Sequence, residues 1–176
     1  MSNILGTVLP VREITAAAHA KGALVLVDAC QMIVHQKVDV RDIGCDFLVF
    51  SGHKTYGPSG IGVLYGRYEI LDSMPPYQFG GDMVDTVSYQ HTTFEEPPAR
   101  FEAGTPAIVQ AVGLGRALQY MSDLGMDNIE AHEVELVKYT NERLKEVKGL
   151  KVIGNADNKG GVFSFNVEGI HPQDLA

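Results

Sequence analysis

Cysteine is scarce in this chain of 176 residues: Cys30 and Cys45 are the only two, at a spacing that fits neither a disulfide framework nor a zinc site. That scarcity predicts a reducing, cytoplasmic setting. Basic side chains are also in the minority, 14 against 22 acidic ones, for a formal charge of −8. Such a balance repels a phosphate backbone at long range, so no nucleic-acid partner is expected. No apolar run approaches the roughly 20 residues needed to cross a bilayer. Residues 1–6 lack the basic-then-apolar layout of a secretory signal, so no membrane association is expected either. His19, His35, His91, His132 and His171 show no metal-ligand spacing with one another or with a cysteine, which points to surface or structural roles and to no metal. Internal repeats and low-complexity tracts are missing as well.

What remains is the composition of an ordinary globular domain, 45% apolar and 20% charged, with length enough for a real core. Pro10 favours a helix start, residues 11–21 place Val11, Ile14, Ala17 and Ala18 along one side, and Gly22 is a stop signal. Residues 24–27 and 46–50 are short continuous apolar runs, the pattern of strands covered on both faces of a parallel sheet. Between them residues 28–45 read as irregular, with a weak turn at Asp42-Ile43-Gly44. Gly57-Pro58-Ser59-Gly60-Ile61-Gly62 is a turn leading straight into a strand at 63–65, and so short a link predicts an antiparallel return. Residues 73–98 carry Pro75-Pro76, Gly80-Gly81 and Pro97-Pro98 and read as a long functional loop. Two helices follow, over 107–124 and from Asp127 to a stop at Gly149, with Asp127 and Glu130 as a capping pair. Strands at 151–153 and 162–167 and a helix start at His171-Pro172 close the chain. Helix, strand, crossover and strand in this order predict an α/β fold, a mostly parallel sheet flanked by helices.

Two groups at strand ends carry chemistry. Asp28 ends the run Leu24-Val25-Leu26-Val27, and Lys54 follows Phe47-Leu48-Val49-Phe50-Ser51-Gly52-His53. In open α/β sheets ligands bind outside the carboxyl ends of the strands. A lysine that forms a Schiff base and a carboxylate that keeps a pyridine ring protonated are the two groups pyridoxal 5'-phosphate (PLP) most needs. Burial at the strand end is expected to make the lysine a better nucleophile. Ser51 and His53 offer phosphate donors. Gly104 and Thr105, just ahead of a helix, offer a second set. Gln31 and Asn3 are placed to bond the ring oxygen. Cys30 reads as a small buried filler beside Asp28, and Cys45 as packing. The alternating Glu133, Glu135, Glu142, Glu146 and Lys138, Lys145, Lys148 read as a solvated helix face.

As a connected set these residues resemble the group II, SUF-type cysteine desulfurases of the class V aminotransferase family. The likeness runs through Ser2-Asn3-Ile4-Leu5-Gly6-Thr7, Val27-Asp28-Ala29-Cys30-Gln31, Cys45-Asp46-Phe47-Leu48-Val49-Phe50-Ser51-Gly52-His53-Lys54 and the glycine turn at 57–62. It continues in Gly80-Gly81-Asp82-Met83 and Arg100-Phe101-Glu102-Ala103-Gly104-Thr105-Pro106. The resemblance implies the PLP-dependent transferase fold type I, with residues 1–148 as part of the cofactor-binding large domain and 149–176 as the beginning of a small α+β domain. It implies that Lys54 holds the cofactor and shuttles protons and that Asp28 pairs with the ring nitrogen. Gln31 and Asn3 would contact the ring oxygen, Ser51 and His53 the phosphate, and Thr105 the phosphate of a partner subunit in a homodimer. The implied reaction takes sulfur from L-cysteine, leaving alanine and a persulfide that a sulfur-acceptor protein collects for iron–sulfur cluster assembly. Family members are longer at both ends, so a central fragment unable to turn over cysteine alone is expected. Selenocysteine lyase, a kynureninase-like hydrolase or an epimerase shares the same cofactor residues. A non-catalytic split or truncated binding unit is the alternative of another class.

Overall fold

The computed structural model describes residues 1–175. At its centre is a three-stranded sheet in the order β1 (Leu26–Asp28), β2 (Phe47–Ser51), β3 (Gly62–Gly66). β1 and β2 run parallel, with Leu26 opposite Phe47 and Asp28 opposite Val49. β3 returns antiparallel to β2, with Ser51 opposite Gly62, as the short glycine turn demands. Ala29, Cys45 and Leu48 form the buried core of this unit, with Val25, Val27, Phe50 and Tyr65 against them.

The parallel start of the sheet is fastened by a carboxylate. Asp46 is 1% exposed. It accepts the Val25 backbone N–H at 2.7 Å and the His19 imidazole Nε2 at 2.8 Å, and Arg67 lies 3.6 Å away. His19 closes helix α1 (Val11–His19), so one side chain ties a helix to the entry of both parallel strands. Burial alone would raise this carboxyl, but the bonds from His19 and Val25 and the charges of His19 and Arg67 outweigh it and hold it below the usual carboxylate range.

Coverage of the sheet is less complete than the apolar runs suggest. Leu24 and Leu26 are 63% and 57% exposed, and the face beside β1 opens into a groove of about 340 Å³ between α1 and the strand. The run length reads as two-sided burial, but β1 is an edge strand of this sheet, and α1 borders the groove without closing it. Other departures have local causes. The weak turn at 42–44 is a four-residue helix α2 (Val40–Ile43), formed because the Asp39 carboxylate accepts the N–H groups of Arg41 and Asp42 at 2.8 and 3.3 Å. Gly44, at φ 73°, ends it. Helix α3 (Tyr68–Ser73) is too short to show a clear period in the sequence, and the hairpin β4 (Val84–Val87) and β5 (Thr92–Phe94) lies between Gly80-Gly81 and Pro97-Pro98, which read as loop. Arg100 braces this region by donating to the carbonyls of Asp72 and Glu95.

Helices α4 (Ile108–Leu124) and α5 (Met126–Leu144) pack on each other and follow the predicted ranges closely, but Gly125, not Asp127, precedes α5. Asp127 sits inside the first turn, where a negative charge favours the helix dipole instead of capping. Strands β6 (Leu150–Ile153) and β7 (Ser164–Val167) form a separate antiparallel pair, ahead of the short α6 (Pro172–Leu175). This pair is strapped to the start of the chain. Thr7 bridges Lys159, and Val8 N–H donates to the Asn158 carbonyl at 3.0 Å. Gly160 N–H donates to the Gly6 carbonyl at 2.9 Å. The crossing is tight enough to need glycine: Gly6 has φ 73°, and a Cβ there would stand 2.9 Å from the Gly160 oxygen.

Candidate active site

Because β1 and β2 are parallel, their carboxyl ends share one edge of the sheet, and Asp28 and Ser51 stand there. The chain leaves β2 through a 3₁₀ turn, Gly52–Lys54, which places His53 and Lys54 just beyond that strand end. Gly52 makes the turn possible. A Cβ there would lie 3.0 Å from both the Pro58 and Ile61 carbonyl oxygens, while its own N–H donates to Ile61 at 2.8 Å. Thr55, fully buried, locks the exit with a hydroxyl donated to the Gly52 carbonyl at 2.8 Å.

Asp28 is held from behind. Its Oδ1 accepts the Cys30 N–H at 2.9 Å. That bond, the Cys30 thiol and the positive charges of Lys54 and the Met1 terminus hold its carboxyl below the ordinary range against a smaller opposing effect of burial. The bonds from Cys30 are the main cause, and the charge of Lys54 adds a smaller part. Cys30 is half-buried and bonded to Asp28, not the buried filler its type suggests, because the turn after β1 aims its amide at the carboxylate. Cys45 is buried, and burial pushes its thiol up.

The expected phosphate donors lie close in sequence and in space: Ser51 half-buried at the strand end, His53 exposed in the 3₁₀ turn. Lys54 is exposed too, so strand-end burial does not enclose it within this chain. Gln31 follows Asp28 in a turn closed by the Met32 and Ile33 N–H groups on the Ala29 carbonyl, at 2.9 and 3.0 Å. Asn3 is exposed in a turn that the Ser2 hydroxyl holds by accepting the Ile4 and Leu5 N–H groups. Its neighbours Met1 and Ser2 border the same groove as Asp28. Thr105 stands apart. It is exposed ahead of α4, next to Gly104, whose N–H donates to the Gly81 carbonyl at 2.8 Å, and no hydrogen bond among the described residues ties it to the Asp28–Lys54 edge.

One feature beside the site had no local signal in the sequence. His35 Nδ1 lies 2.8 Å from both carboxylate oxygens of Glu133, and Gln36 Nε2 donates to Glu130 at 2.9 Å. The partners are 98 and 94 residues apart, and two of the glutamates on a seemingly solvated helix are committed to the turn below Asp28.

The comparisons agree with this geometry. The family described as Aminotransferase class-V matches residues 1–176. The chain is 49% identical over 176 residues to a probable cysteine desulfurase of Halalkalibacterium halodurans and 52% identical to a cysteine desulfurase of Dickeya dadantii. These alignments take in 100% and 99% of this chain but 43% and 42% of those relatives, so it spans about two fifths of their length. The apo structure of a cysteine desulfurase from Thermococcus onnurineus NA1 superposes with a TM-score of 0.95 at 43% identity, over 100% of this chain and 44% of that one. A C-DES variant with glycine covalently linked to its PLP cofactor gives a TM-score of 0.83 at 26% identity, over 94% of this chain and 45% of that one. By sequence and fold, the chain belongs to the class-V aminotransferase family.

Proposed function

We propose that these residues form the cofactor face of a PLP-dependent cysteine desulfurase that acts on L-cysteine. The observation that carries the reading is the placement of Asp28 at the end of β1 and of Lys54 just beyond the same end of β2, its parallel neighbour. It is supported by relatives named cysteine desulfurase at 47–52% identity. The donor set fits the cofactor: an ionised carboxylate, a primary amine, and a hydroxyl and an imidazole within four residues of chain. PLP supplies an electron sink for a substrate carbanion when bound. Asp28, its carboxylate braced by the Cys30 N–H, would hold a negative charge against the ring nitrogen. Lys54 offers the amine that anchors the group and afterwards moves protons at its Nζ. Ser51 and His53 donate to the phosphate, Gln31 and Asn3 to the ring oxygen, and Thr105 serves the site of a second subunit in a homodimer. The isolated position of Thr105 favours that last role.

The finer reading is a group II, SUF-type enzyme of the cytoplasm that passes persulfide sulfur to an acceptor protein for iron–sulfur cluster assembly, with residues 149–176 opening a small domain. Turnover is expected to need more chain than these residues, since the curated relatives are more than twice as long.

The test is covalent. Incubation of the intact protein with PLP and then borohydride should fix the cofactor on the peptide containing Lys54, and Lys54→Ala should abolish that product. Equal reductive labelling of Lys54→Ala overturns the assignment. In the full-length protein, alanine release from L-cysteine supports a desulfurase, whereas release from L-selenocysteine alone marks a selenocysteine lyase.

A further inference from the structure

The turn between Asp28 and Gln36 is pinned at both ends by different parts of the fold. At its start the Ala29 N–H donates to the Val49 carbonyl at 2.9 Å, which fixes it to β2. At its end the His35 and Gln36 side chains reach α5, where Glu130 and Glu133 stand three residues apart and so share one helix face. Inside the turn successive N–H groups fold back: Met32 and Ile33 on Ala29, His35 and Gln36 on Met32. Gln31 is therefore suspended between a sheet anchor and a helix anchor.

We propose that His35 and Gln36, gripped by Glu133 and Glu130, are positioning residues that let α5 set where Gln31 stands beside Asp28. The His35–Glu133 contact is well made. Nδ1 meets both carboxylate oxygens at 2.8 Å, and the two side chains are 23% and 28% exposed, so water competes only partly. Lys138, Lys145 and Lys159 line the same cleft, yet among the described residues His35 is the ion-pair partner of Glu133. Helix α5 leads directly to β6, so the clamp also joins the Asp28 turn to the unit carrying the second hairpin.

The relevance of the clamp to chemistry rests on the PLP reading above, but its existence is tested without cofactor. In the intact protein, His35→Leu removes the donor, whereas His35→Asn keeps one near the Nδ1 position. Amide hydrogen exchange is compared for residues 31–36 and for β2. His35→Leu should speed exchange at 31–36 about tenfold, the equivalent of one charge-assisted hydrogen bond. β2 should be unchanged, and His35→Asn should recover most of the protection. In the PLP-loaded protein His35→Leu should also move the visible absorption band, and His35→Asn should restore it. Equal acceleration in β2, identical behaviour of the two variants, or an unmoved band overturns the proposal. If the parent protein forms no visible band at all, the PLP reading falls, and the exchange pattern alone decides whether the clamp stands.

Discussion

Two aspartates mark the two edges of the parallel strand pair, and they are treated in opposite ways. Asp46, at the entry, is 1% exposed and its oxygens are occupied by the Val25 amide, the His19 ring and the nearby Arg67. Asp28, at the exit, is exposed, accepts the Cys30 N–H at 2.9 Å with the Cys30 thiol beside it, and makes no ion pair among the described residues. Both carboxyls are held below their ordinary range. The difference lies in what is left over: the structural aspartate has its acceptor capacity filled, and the exit aspartate stays open to a ligand. A perturbed carboxylate marks a site only when its perturbing partners leave it unsaturated.

The largest effect should come from emptying the saturated edge. Asp46→Ala leaves the partly buried Val25 amide and the partly exposed His19 imidazole without their acceptor and should lower stability by about 2 kcal/mol, read as a shift in the denaturant midpoint. Asp28→Ala should cost no more than about 1 kcal/mol, because one exposed hydrogen bond is lost, while abolishing PLP retention through dialysis. A comparable stability loss in both variants would erase the distinction. A smaller effect should appear on acidification. Asp46 has a depressed folded-state value, so its contribution is complete above the unfolded carboxylate value of about 3.9 and is lost as pH falls through the folded one. Acid unfolding of the parent should thus deepen below about pH 4, and Asp46→Ala should show a flatter stability profile there. A parallel profile for the two proteins would mean that Asp46 is not the group titrating.

Much of the site was legible because its signals are local. Asp28 closing one apolar run and Lys54 following another predicted two groups at strand ends, and the parallel register puts the ends of those two strands on one edge. The antiparallel return through the turn at 57–62 was legible for the same reason, since six residues rich in glycine leave no room for a crossover. Two elements were not: α3 begins after Arg67 without a side-chain cap, and the β4–β5 hairpin within residues 73–98 has no glycine–asparagine turn to announce it. Its neighbours stabilise it, among them the Phe79 ring 5.6 Å from that of Phe94. The exposure of Lys54 and the role of Cys30 were hidden too, because burial and the aim of an amide depend on which elements come to rest nearby.

The sequence by itself determined the strand ends, the turn that reverses β3, and the residue types that can hold a pyridine ring, for these follow from runs and spacings a few residues long. Only the tertiary structure decided which aspartate is saturated, and that Glu130 and Glu133 turn from solvent to grip the turn below Asp28. Contacts across nearly a hundred residues are set by how helices pack on a sheet, and no local pattern records that packing.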